Sequence, residues 1–282
     1  MILVFGKTGQ VANELQRLGG LTILGREDAD LSDPQTCADA ICNHVPSAVI
    51  NAAAYTAVDT AEEDEALATI INGDAPTAMA QSCAVLGIPL VHISTDYVFS
   101  GSGKTPWRPD DLTAPKNAYG RSKLAGENGI RASGAVHAIL RTSWVVSAHR
   151  DNFVKTMMRL SETHESLSVV ADQIGGPTPA KDIAMTSLQM AKQLIQDPSK
   201  SGSYHFSGAP DVSWADFAMV ILTEAERNVS VTPIPTTDYP TLARRPLNSR
   251  MDCGATERAF LITRPDWRNG LKEILKELQE KL

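Results

Sequence analysis

Met1-Ile-Leu-Val-Phe5-Gly6-Lys-Thr-Gly9-Gln-Val-Ala12 opens the chain, and its reading decides the fold. Ile2–Phe5 is a short apolar run, a buried-strand candidate, and a glycine-rich turn follows it at once. A helical stretch then runs from about Gln10 to Leu18. Gly6 allows the tight turn. Gly9 lets a pyrophosphate approach the backbone at a helix N-terminus, where N–H groups and the helix dipole favour an anion. Ala12 stands where a third glycine is usual, and a small residue suffices for helix–strand packing. A strand, this turn and a helix in that order predict the start of a dinucleotide-binding unit.

Working outward, strands and helices keep alternating. Leu21–Leu24 is the next strand. Asp33-Pro34 supplies an N-cap with proline at the first helical position. Ala48–Asn51 is a third strand, followed by an alanine-rich helical region that breaks at Asn72-Gly73 and restarts at Asp74-Ala-Pro76. Ile88–Ile93 and Val136–Leu140 are the fourth and fifth strands, with a helix over Tyr119–Arg131 between them. This rhythm implies right-handed crossovers and a parallel sheet covered on both faces. Past Arg141 it loosens. Asn152–Thr163 and Lys181–Gln196 read as helices, Leu167–Val170 and Tyr204–Phe206 as short strands, and proline-rich Thr232–Arg250 as irregular chain. Trp267–Leu282 is an amphipathic helix with Leu271, Ile274, Leu275 and Leu278 on one face. The expected class is α/β: a Rossmann-type doubly wound parallel sheet over residues 1–145, with returning sheet elements from about 165–206. A smaller, interleaved C-terminal substrate domain takes the remainder, 146–282.

The bulk composition narrows the function classes. At 282 residues with 43% hydrophobic and 21% charged side chains, the chain is an ordinary globular protein. A net charge of −7, with 26 Lys+Arg and no basic run, argues against a nucleic-acid footprint. Cys37, Cys42, Cys83 and Cys253 form no C-x-x-C pair and read as reduced thiols rather than metal ligands. No stretch approaches the roughly 20 apolar residues of a membrane helix. The N-terminus lacks the charged start and cleavage site of a signal peptide, so a cytoplasmic protein is expected.

The chemistry-bearing residues fall at the ends of the expected strands. At the end of the second strand, Leu24-Gly25-Arg26 replaces the usual ribose-binding acid. Arg26 could pair with a 2′-phosphate in a charge-assisted fork, which favours NADPH, with NADH as the alternative. The competing reading is a solvated Arg26, with Glu27 or Asp28 on the ribose. Asp30-Leu31 would lie near the adenine. Asn51-Ala-Ala-Ala54-Tyr55-Thr56 lets the chain pass close to the cofactor's middle. Ile93-Ser94-Thr95-Asp96-Tyr97-Val-Phe99 bunches polar groups where ligands bind in such sheets. Thr95 can hydrogen-bond a substrate oxygen, and Asp96 and Tyr97 can orient a sugar. In Asn117-Ala-Tyr119-Gly-Arg-Ser-Lys123, Tyr119 and Lys123 share a helix face, about 6 Å apart along the axis. An ammonium beside a phenol favours the phenolate, so the tyrosine is expected to become more acidic, toward neutrality. Lys123 can also donate to the nicotinamide ribose.

These residues resemble the extended short-chain dehydrogenase/reductase family and, within it, the dTDP-4-dehydrorhamnose reductase subfamily. The resemblance is carried by G-K-T-G-Q-V, N-A-A-A-Y-T-A-V-D, S-T-D-Y-V-F-S-G, Y-G-R-S-K-L-A-G-E, R-T-S-W-V and R-P-L-N-S-R, in order from residue 6 to residue 250. It implies hydride delivery from NAD(P)H to C4 of a keto sugar nucleotide, in the supply of rhamnose for cell-surface polysaccharide. Tyr119 would be the proton donor, Lys123 its tuner and Thr95 an assistant. Gly9, Gln10 and Val11 match the pyrophosphate turn, Asp30 and Leu31 the adenine site, Ala54, Tyr55 and Thr56 the central cofactor loop, and Ile93 a cofactor contact. Thr95, Asp96 and Trp144 match substrate contacts, Trp144 being equally readable as a core aromatic. Arg245 and Asn248 match a segment at the nucleotide end that a structural turn would also explain. Some members carry Mg²⁺ at a glutamate-lined dimer contact, and Glu14 falls at one such position, so a metal and a monomer or homodimer both stay open. The competing readings are a sugar-nucleotide epimerase or dehydratase of the same fold, and a non-catalytic homologue resembling the regulatory subunit of methionine adenosyltransferase.

Overall fold

A computed structural model describes residues 1–280. Its first half is β1 (Ile2–Phe5), α1 (Gln10–Leu18), β2 (Leu21–Leu24), α2 (Pro34–His44), β3 (Ala48–Asn51), α3 (Glu65–Thr69), α4 (Ala75–Leu86), β4 (Leu90–Thr95), α5 (Ala118–Ala132) and β5 (His137–Thr142). The second half is β6 (Val145–Val146), α6 (Phe153–Leu160), β7 (Ser166–Val170), β8 (Ile174–Gly175), β9 (Thr178–Pro179), α7 (Ala180–Gln196), β10 (Gly202–His205), β11 (Val212–Ser213), α8 (Trp214–Glu224), β12 (Ser230–Ile234), β13 (Asn248–Ser249), α9 (Gly254–Phe260) and α10 (Trp267–Gln279). The expected helix runs to Leu282, whose last residues lie outside the described ones.

Six strands form one parallel sheet in the order β10-β5-β4-β3-β1-β2. The chain leaves β1 toward β2 and then crosses back to β3 on the other side of β1. The reversal opens a crevice beyond the carboxyl ends of β1 and β3, where such sheets bind ligands. Both faces are covered. Leu3, Phe5 and Val49 pack with Ile41, Met79 and Cys83 on one side; Val4, Ile50 and Val91 pack with Leu15, Ile183 and Met190 on the other. Burial on both faces is why the strands read as continuous apolar runs rather than alternating ones.

The second half contributes β10 to this sheet and otherwise builds small ones: β11-β8-β13, β12-β7 and β6-β9. A separate core joins α6, α8 and α10 through Val154, Phe217, Ile221, Trp267, Leu271 and Ile274. Two sequence expectations are corrected. Asn72-Gly73 does not break the helix, because Ile70–Asp74 is a π-helical turn that carries α3 into α4. Ser230–Ile234 is not irregular; it pairs in parallel with β7, Pro233 opposite Val169. A strand with a neighbour on only one side tolerates a proline that lacks an N–H. Among the described residues no helix is long and apolar enough to cross a membrane.

Candidate active site

The crevice is built around Gly6. Its φ of +111° is a conformation that side-chain-bearing residues rarely adopt, and a Cβ there would sit 3.1 Å from the backbone of Ala52 and Ala53. The end of β1 and the loop after β3 can therefore touch. Gly9 is the N-cap of α1 and offers no side-chain cap, so the amides of the first turn stay available to an anion. Val11 is buried and turns its side chain into the core. Gln10 donates to Val145 O at 3.4 Å and accepts from Ser147 Oγ at 2.8 Å, tying the turn to the chain beyond β5.

At the end of β2 the two acids that compete with Arg26 for the ribose are engaged. Glu27 pairs with Lys7 at 2.5 Å, and Asp28 accepts from the Gly25 amide at 2.8 Å. Arg26 is 78% exposed, with only a 3.7 Å contact to Asp30. The Asp30 carboxylate is held below its usual range chiefly by the Ser32 amide, which donates to it at 2.9 Å. Leu31 is half-buried against the core below α2.

Beyond β3, the loop Ala54–Thr56 is fixed by a residue the sequence reading passed over. Asn72, buried in the π turn, accepts from Tyr55 N–H at 2.8 Å and donates to Tyr55 O and to Ser122 Oγ, each at 3.0 Å. A π turn often marks a functional site; in the sequence Asn-Gly looks like an ordinary breaker.

The polar end of β4 meets α5. Thr95 Oγ1 accepts from Tyr97 N–H and donates to Asp96 Oδ1, both at 3.2 Å. Tyr97 meets the Tyr119 ring edge-on, with centroids 5.5 Å apart. Asp96 is buried, and burial pushes its carboxyl up to about 6, with the nearby Ser249 and Thr95 hydroxyls opposing the shift. Its Oδ2 is buried without a hydrogen-bond partner among the described residues. The acidity expected of Tyr119 is overturned. Burial first, and then the Asp96 charge, raise the phenol above its ordinary value, against a hydrogen bond with Thr95. Lys123 is buried and spends its Nζ elsewhere, on Ile93 O at 2.7 Å and His92 Nε2 at 3.0 Å. The shared helix face is real, but one-dimensional spacing could not show that the strand behind would capture the lysine Nζ.

Helix α5 is anchored from below. Glu127 is fully buried; it accepts from Arg141 Nε at 2.8 Å and Nη2 at 2.7 Å, from Ser94 Oγ at 2.6 Å and from Arg131 at 2.7 Å. Burial pushes its carboxyl up, but these partners outweigh it and hold the group below its usual value. A strap, residues 240–250, crosses the mouth. Arg245 pairs with Asp59, and its charge lies close enough to Tyr97 to oppose the rise of that phenol, while Asn117 Nδ2 donates to Arg244 O at 2.9 Å. Asn248 is buried and donates to Thr105 O at 2.8 Å, so its amide holds the strap down. Trp144 has a left-handed φ of 49° and stacks on Trp214 at 3.5 Å, half-buried at the edge of the third core. For a side chain of this size that conformation costs about 1–3 kcal/mol and is held by the surrounding packing.

Glu14 lies outside this crevice, with ligand atoms of His149 and Glu277 within 4.8 Å of one another. The set does not fit Mg²⁺, which demands oxygen ligands. One donor is an imidazole, and Arg17 already approaches Glu14 at 3.8 Å and pairs with Glu277.

The family described as the RmlD substrate binding domain matches residues 1–280. A dTDP-4-dehydrorhamnose reductase from Shigella flexneri is 41% identical over 291 residues, covering 98% of this chain and 97% of the relative. Among solved structures, a dTDP-4-dehydrorhamnose reductase from Clostridium acetobutylicum superposes with a TM-score of 0.90 at 36% identity, covering 99% of each chain. The Bacillus anthracis enzyme of that name, in complex with NADP, gives 0.91 at 33% identity over 98% of each chain. The chain thus belongs to the RmlD substrate binding domain family, and dTDP-4-dehydrorhamnose reductases are among its relatives.

Proposed function

We propose that the protein reduces the C4 keto group of dTDP-4-dehydro-L-rhamnose to give dTDP-L-rhamnose, with NADPH as the preferred reductant. The observation that carries this is the position of Tyr119 at the mouth of the sheet, edge-on to Tyr97 and beside the Thr95–Asp96 pair, where burial raises its phenol above the ordinary value. Reduction of a ketone needs a proton for the oxygen that becomes an alcohol. A phenol kept neutral by burial is a donor at neutral pH, whereas a phenolate would suit the reverse reaction. The dinucleotide supplies the hydride when bound. Gly6, Gly9 and the first-turn amides of α1 would hold its pyrophosphate, and Arg26, the cation left exposed at the end of β2, its 2′-phosphate. Gln10, Asp30, Leu31, Ala54, Tyr55, Thr56 and Ile93 would line the rest of its path.

The chain's own residues do four things in this scheme. Thr95 would hold the C4 oxygen against Tyr119 and so fix the line of proton transfer. Asp96, with an unsatisfied buried oxygen, would accept from a sugar hydroxyl. Tyr97 and Trp144 would flank the sugar, and the strap carrying Arg245 and Asn248 would exclude water over the nucleotide. Residues up to about 145 would serve the dinucleotide, and 146–282 chiefly the sugar nucleotide. Initial rates with the dTDP keto sugar under NADPH and NADH test the reading. Tyr119→Phe is expected to lose about 10²–10⁴-fold in kcat while still binding NADPH. Near-full activity in that variant would remove Tyr119 from the donor role.

A further inference from the structure

One buried polar chain behind the site has no part in the scheme above. His92, on β4, is fully buried between Lys123 and Asn51. Lys123 Nζ lies 3.0 Å from its Nε2, and Asn51 Nδ2 lies 3.1 Å from its Nδ1. The Asn51 carboxamide is oriented by its oxygen, which accepts from Ala53 N–H at 3.1 Å. Ala53 belongs to the loop that meets Gly6.

The available hydrogens restrict what this chain can be. Asn51 Nδ2 can only donate, so His92 Nδ1 must accept. A neutral imidazole has one N–H, which then sits on Nε2 and points at Lys123 Nζ. An ammonium has no lone pair to receive it, but a neutral amine has one and can still donate to Ile93 O. A charged ring would present N–H groups to donors on both sides, and burial with the neighbouring lysine pushes His92 well below its ordinary value. Burial lowers Lys123 as well, to about 8, against a raising effect of Glu127. Glu127 is the charged neighbour on α5 and is itself matched by Arg141 of β5 and by Arg131; Asn51 of β3 is uncharged. The other consistent arrangement has an ammonium donating to Nε2, the ring proton on Nδ1, and the Asn51 carboxamide turned over to accept it. That turn takes the acceptor away from Ala53 N–H.

We propose that His92 is a positioning residue that, through Asn51, ties the charge of Lys123 to the Ala52–Ala54 loop. In the free protein above about pH 8 Lys123 is an amine and the Ala53 amide is held. With a dinucleotide bound, Lys123 is an ammonium and that amide is released. The change takes one proton from solvent onto Nζ and moves the ring proton from Nε2 to Nδ1. Bound phosphates and ribose hydroxyls favour the charged form of a nearby lysine, so the coupling rests on the reductase reading.

The test is ¹⁵N NMR of the histidine rings in the wild-type protein near pH 9, with and without saturating NADPH. His92→Gln, which keeps a polar group toward Lys123, identifies the His92 signals among the six histidines. The expected result is the Nε2–H tautomer in the free protein and Nδ1–H in the complex. Calorimetry near pH 9 in two buffers of different ionisation enthalpy should show proton uptake on NADPH binding, reduced at least twofold in His92→Gln. An unchanged tautomer, or Nδ1–H already present without NADPH, would overturn the coupling alone. Failure to bind NADPH would overturn both the coupling and the reductase reading. Should His92→Gln not fold, tautomer signals that respond to NADPH in the wild type still decide the matter.

Discussion

Asp96 shows how much a single buried group can weigh. Its folded-state value is raised from 3.8 to about 6, so folding favours the protonated carboxyl. The stability this brings is full below the unfolded value and is lost as pH rises through about 6. Near neutrality the buried charge is a burden of about 3 kcal/mol, from roughly two units at about 1.4 kcal/mol each. Asp96→Asn is therefore expected to stabilise the protein at pH 7 and to be neutral below pH 4, read from urea midpoints at the two pH values. The same variant should lose the acid limb near pH 6 from the kcat/KM profile, because the group that titrates there is gone. Arg26 carries a second expectation at this scale. Losing a charge-assisted contact to a 2′-phosphate should raise KM for NADPH by about tenfold in Arg26→Ala, with NADH nearly unaffected. Equal effects on both dinucleotides would leave Arg26 as a solvated surface residue.

Helix α5 is the element on which the site depends, since it carries Tyr119, Lys123 and Glu127 four residues apart along one face, with Lys123 and Glu127 both buried. A buried ion pair is weak evidence for stability, but removing one partner strands the other. Glu127→Ala would leave Arg141, only 1% exposed, unpaired in the core; a loss of about 3–5 kcal/mol is expected in urea unfolding. The helix also sits close against the π turn, where a Cβ on Gly126 would fall 2.1 Å from Asn72 O. That approach lets Asn72 reach both Ser122 and the Tyr55 backbone. None of this was legible in the sequence. The helix itself was, from its residue spacing, but its Asn117 N-cap and the partners of its buried polar groups, which come from β4, β5 and the π turn, were not.

In the whole molecule, the sheet core and the core under α10 are joined across the crevice by the strap and by Gln10. A ligand seated between them should stabilise the protein as a unit. At 100 times its dissociation constant NADPH is expected to add about 2.7 kcal/mol, which for a chain of this size raises the melting temperature by about 5–10 °C. Scanning calorimetry with and without the dinucleotide measures it, and no shift under saturating NADPH would refute the crevice as its site.

The sequence by itself determined the parallel sheet, because strands buried on both faces and separated by capped helices leave few other packings. It also determined the positions of the glycine turn, the S-T-D cluster and the Tyr/Lys pair, because each is a local arrangement of a few residues. Only the tertiary structure decided the direction in which burial pushes the Tyr119 phenol, the capture of Lys123 by His92 and Ile93 O, the occupation of Glu27 and Asp28, and the misfit of Glu14 to Mg²⁺. Those depend on charges, donors and burial contributed by residues far apart in the chain, and a pKa or a donor set is a property of the surroundings rather than of a motif.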